Sequence, residues 1–96
     1  MYYNTLKSSF NMLQSVGAPI SMRQFSYVWL DSGASLYSDL GIRTRHRSYV
    51  SRRVAFALRS RLTEVAKLLP ADLQRTFVAM IMEIDASIEG AAKMRR

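Results

Sequence analysis

From Val50 to Ile88 apolar residues recur every three or four positions, and only Pro70 interrupts them. Such spacing lays a continuous apolar stripe along an α-helix and scatters the same residues over both faces of a strand. Val50, Val54, Leu58, Leu62, Val65 and Leu69 predict the buried edge of one helix, expected over Ser48 to Leu69. Leu73, Phe77, Met80, Ile81, Ile84 and Ile88 predict a wider stripe on a second helix, from Pro70 to about Ala92. Proline suits the first turn, where its missing N–H has no partner to lose, and Asp72 there meets the positive dipole end. The chain must fold as helices.

The first half carries shorter helical segments with their own punctuation. Tyr3, Leu6, Phe10 and Leu13 form one apolar stripe over Tyr2 to Ser15, stopped by "VGAP", with Gly17 suited to the C-cap. Ser21 is a good N-cap for a helix from Met22 to Leu30, and Gln24 stands where a capping box needs it. "DSG" at Asp31 to Gly33 breaks that helix, and "ASLYSDL", Ala34 to Leu40, predicts a third, closed by Gly41. No clean apolar–polar alternation marks a strand. The expectation is an all-α protein of about five helices in a single domain, residues 1–96. A helical region with a basic segment (1–47) precedes a C-terminal helical hairpin (48–96).

A chain of 96 residues with 49% hydrophobic side chains can close a core, though near the lower size limit. Borrowing buried surface from a second copy is a common remedy, so a homodimer is expected, and the stripe from Leu73 to Ile88 reads either as core or as a dimer seam. The absence of cysteine removes disulfides and thiol chemistry. No apolar run approaches the roughly 20 residues of a membrane span. "MYYNTLKSSFNMLQ" lacks the basic head and apolar centre of a signal peptide, so a cytoplasmic location is expected.

The net charge of +7 is concentrated in one place. Between Gly41 and Arg61 stand Arg43, Arg45, Arg47, Arg52, Arg53, Arg59 and Arg61, with no Asp or Glu; the remaining seven basic and seven acidic residues cancel. Local positive excess of this kind is the footprint of a polyanion binder, and arginine's planar fork suits phosphate and guanine edges. Converging reactive groups are missing by contrast. His46 has neither a second histidine nor a cysteine to share a metal, and Glu83, Asp85 and Glu89 have no partner at ligand spacing. Phosphate-cradling glycine loops and nucleophile motifs are absent. Neither an enzyme nor a cofactor or metal is expected.

The segment "SMRQFSYVWLDSGASLYSDL", Ser21 to Leu40, resembles the helix-turn-helix of lambda-repressor-like (Cro/Xre-type) DNA-binding domains. Phe25-Ser26 matches a buried large residue followed by a small one, and Leu36 and Leu40 match the apolar pair of the second helix. More narrowly, "FSYVWLDSGASLYSDL" is similar to a family of small uncharacterised proteobacterial helix-turn-helix-like proteins. The likeness spans roughly Leu6 to Leu69. Glycine is usual at the turn of that motif; here Leu30 and Asp31 occupy it, and Gly33 lies further on. The resemblance implies that Ala34 to Leu40 enters a major groove, exposing Ser32, Ala34, Ser35, Tyr37 and Ser38. Arg43, Arg45, His46, Arg47, Arg52 and Arg53 would then hold double-stranded DNA by its phosphates. Tyr37 could instead pack inward. Asp39 would be repelled by phosphate unless an arginine pairs with it.

A small bacterial or phage transcriptional regulator is therefore the first expectation. The alternative is a protein–protein module, such as an antiactivator or a phage-encoded inhibitor, docking its basic face on an acidic partner. RNA binding is a third reading, weakened by the lack of an exposed aromatic platform.

Overall fold

The computed structural model describes residues 1–17, 21–33, 37 and 50–94, with side chains up to Gly90. The protein is all-α, and no strand occurs among the described residues. Helix α1 spans Tyr3–Ser15. Helix α2, Met22–Gln24, runs without a break into a π-helical turn, Phe25–Trp29. Helices α3, Arg52–Ala66, and α4, Ala71–Met94, form the hairpin. The expected helix at Ala34 to Leu40, with Leu36 and Leu40, lies outside the described residues apart from Tyr37.

The helix ends follow from local chemistry. The capping box forms at α2: Ser21 Oγ accepts from the Gln24 amide at 3.1 Å, and Gln24 Oε1 accepts from the Ser21 amide at 3.1 Å. Gly17 takes a left-handed φ of 86° just beyond α1, as a C′ glycine does. Helix α3 starts later than the expected Ser48, because Ser51 Oγ caps it by accepting from the Val54 amide at 3.3 Å. Val50 stays outside, its amide donating to the Met1 carbonyl at 2.7 Å. Helix α4 runs past Ala92 to Met94, starting where the Pro70 carbonyl accepts from the Gln74 amide at 2.9 Å.

Phe10, Phe25 and Tyr37 form an aromatic cluster at the heart of the N-terminal half, with centroids 4.9–5.2 Å apart. Val54, Leu58 and Leu62 of α3 and Phe77, Met80 and Ile84 of α4 complete the core. Trp29, half-buried, lies against Phe77 at 6.4 Å and joins the π turn to α4. Ser87 anchors the other end: its buried Oγ accepts from the Tyr2 amide at 2.8 Å and from Thr5 Oγ1 at 2.9 Å. These contacts correct the reading of the α4 stripe as a dimer seam. Phe77, Met80 and Ile84 are buried within one chain, and Leu73, Ile81 and Ile88 are partly buried on the same side.

The π turn has a packing reason. In an α-helix Phe25 and Leu30 would point about 140° apart, given 3.6 residues per turn. The wider turn, closed by the Leu30 amide donating to the Phe25 carbonyl at 3.0 Å, lets Phe25, Ser26 and Leu30 all reach the interior. The chain then reverses at Asp31, whose φ is 48°. Aspartate tolerates this left-handed region better than most residues, so it does the work that glycine usually does at such a turn. Gly33 is not in that conformation. Asp31→Val should lower the unfolding free energy by about 1–2 kcal/mol, whereas Asp31→Gly should change it by less than about 1 kcal/mol. Urea titration of both variants checks this, and equal losses would discount backbone strain at the turn.

Candidate nucleic-acid interface

The residues singled out from the sequence divide into those the structure gathers, one it turns inward, and those outside the described residues. Arg52 and Arg53 open the first turn of α3, both exposed. Arg53 Nη1 donates to the Asp31 carbonyl at 3.2 Å, and Nη2 to Ser32 Oγ at 3.3 Å. The basic start of α3 is thus tied to the turn that follows α2. Ser32 is engaged twice more: its amide donates to the Ser26 carbonyl and its hydroxyl to the Leu30 carbonyl, each at 3.0 Å. Its hydroxyl therefore fixes the turn first.

Tyr37 corrects an expectation. Rather than lying exposed, it is 4% accessible, packed among Tyr3, Phe10 and Phe25. Its amide donates to the buried Ser26 Oγ at 2.8 Å, which ties Tyr37 to the π turn. Burial, then the charge and hydrogen bonding of Tyr3, push the Tyr37 phenol from 10.0 to about 12. Ser26 explains why a small residue follows Phe25: a longer side chain would hold the Tyr37 backbone away. Ala34, Ser35, Ser38, Asp39, Arg43, Arg45, His46 and Arg47 lie outside the described residues.

The arginines of α3 are less equal than their spacing suggests. Arg59 is clasped by Asp85 of α4, with Nε–Oδ1 at 2.6 Å and Nη2–Oδ2 at 3.3 Å. That hydrogen bond and the carboxylate's charge hold the guanidinium still more firmly protonated. Arg61 lies 3.8 Å from Glu64 one turn on. The acid-free run is therefore partly neutralised by residues that the fold brings alongside. Among the described residues of this helix, Arg52 and Arg53 are the cations without an acidic partner.

One exposed surface has no signal in the sequence. Tyr27 is 70% and Val28 43% accessible on the outer side of the π turn, and with Asp31, Ser32 and Arg61 they line a shallow groove. Nothing in the spacing marks Tyr27 as outward, because the period of the chain changes within that turn. No three or more potential ligands of a metal ion gather among the described residues, and no described helix is long and apolar enough to cross a membrane. No protein family, curated protein or solved structure matches this chain.

Proposed function

We propose that this protein binds double-stranded DNA as a helix-turn-helix regulator, acting in the cytoplasm of a bacterium or as a phage product, without catalysis of its own. The support comes first from the bond that joins Arg53 to the turn at Asp31 and Ser32. That link sets the cationic start of α3 beside the segment leading into Ala34 to Leu40, and Arg43, Arg45 and Arg47 lie on the chain between them. A single surface made of a short helix and guanidinium groups would take the phosphates on either side of a groove. In a dimer, two such surfaces about 34 Å apart would meet successive turns of one duplex face.

Phosphate contacts release counterions, so affinity for a random duplex should fall steeply with salt. Arg45→Ala, Arg47→Ala and Arg52→Ala should each weaken binding alike on any sequence and flatten the log–log salt slope by about 0.9 per lost contact. Fluorescence anisotropy on a labelled duplex reads both quantities. Unchanged affinity and slope in all three variants would remove the basic surface from the function. A second reading has an observation of its own: Met22 on α2 and Tyr27 and Val28 on the π turn are exposed near Arg23 and Arg61. Such a face would suit an acidic protein partner. Retention on heparin and duplex columns separates the two, since only the DNA reading requires it.

A further inference from the structure

The outer face of α4 is composed as though to meet itself. Phe77, Met80 and Ile84 point into the core, and on the far side Arg75, Val78, Met82, Ala86 and Glu89 are all exposed. Their spacings of 3, 4, 4 and 3 residues set them in one stripe on the helix surface. The spacing of the stripe reads the same in both directions, and its two ends are opposite in charge. Met82 is its midpoint, Val78 and Ala86 flank it, and Arg75 and Glu89 close its two ends. Val78 and Met82 are 48% and 67% accessible, two neighbouring apolar side chains at the centre of the stripe. Among the described residues neither Arg75 nor Glu89 has an ion-pair partner.

We infer that a second copy of this chain covers this stripe, the two α4 helices running antiparallel about a two-fold axis at Met82. In that arrangement Met82 meets Met82, Val78 meets Ala86, and Arg75 of each copy meets Glu89 of the other. The small Ala86 lets the helices approach, and an isologous pairing needs nothing but the patch itself. A parallel pairing would instead set like charges against each other at both ends, which is unfavourable. The occupant is therefore self, and its direction is set by charge. From Arg75 to Glu89 the stripe runs about 21 Å at 1.5 Å per residue, a contact at the small end for specific interfaces, so association in the micromolar range is expected. This inference stands apart from DNA binding and is tested without DNA.

Sedimentation velocity over a dilution series up to about 100 μM reads the association directly. The full chain should pass from monomer to dimer. Met82→Lys should raise the dissociation constant at least about tenfold by placing two cations at the axis, while its thermal melt, as a monomer, stays unchanged because the position is exposed. Arg75→Glu and Glu89→Arg should each weaken association about three- to tenfold, and the double variant Arg75→Glu/Glu89→Arg should regain the parent's affinity. A chain that stays monomeric throughout, a dimer indifferent to Met82→Lys, or a double variant no better than the single ones would each overturn the pairing.

Discussion

Phe25→Ala is expected to lower the unfolding free energy by about 3–5 kcal/mol, the range for emptying a closed aromatic site. The ring has no accessible surface and sits edge-on to Phe10 at 5.2 Å and to Tyr37 at 5.0 Å. It joins three segments distant in sequence, so no single neighbour can relax into the space. Helix α2 is also too short to persist without packing, since isolated helices below about 12 residues are marginal. Against a typical total of about 5–15 kcal/mol, such a loss removes a large fraction of the stability. Denaturant titration should show a lower midpoint at unchanged slope. A loss under about 1 kcal/mol would mean that the aromatic cluster does not hold the N-terminal half together.

Ser26→Val is expected to follow, at about 2–4 kcal/mol. Ser26 Oγ donates to the Met22 carbonyl at 3.0 Å and accepts from the Tyr37 amide at 2.8 Å, wholly out of water. Valine removes both bonds, orphans a buried amide and adds a methyl where the chain passes closest. Ser26→Ala removes the bonds without the bulk and should cost less, about 1–3 kcal/mol. The difference between the variants measures crowding, and their common part measures the hydrogen bonds. If both unfold within about 0.5 kcal/mol of the parent, the segment at Tyr37 is held by other means. Because Phe25 and Ser26 share Tyr37 as a neighbour, the double variant should lose less than the sum.

The parts of this molecule legible in its sequence are those governed by neighbours within a turn or two. Ser21 and Gln24 cap α2 as their three-residue spacing demands, Gly17 ends α1, and the stripes of α1, α3 and α4 face the core. Phe25 and Ser26 are buried side by side. Distance in the chain hid the rest. Nothing near Arg59 announces that Asp85 will neutralise it, and nothing near Tyr37 announces three aromatic neighbours. The turn is legible at Asp31, but not that aspartate there adopts the left-handed backbone glycine usually takes. On α4 the spacing from Leu73 to Ile88 marks the core side, and nothing in that spacing marks Val78 and Met82 as an outer pair.

The Arg59–Asp85 clasp bears on how ionic strength can be used as a probe. Its partners are 26 residues apart, with side chains 39% and 45% accessible, so added electrolyte reaches and loosens it. Yet an ion pair this wet contributes only about 0.2–1 kcal/mol, while the apolar seam beneath is indifferent to ions. Shielding it can shift the folded fraction of a stable chain by almost nothing. A hundredfold fall in duplex affinity between dilute and concentrated buffer would thus report on the nucleic acid's released counterions and leave the hairpin's integrity out of account.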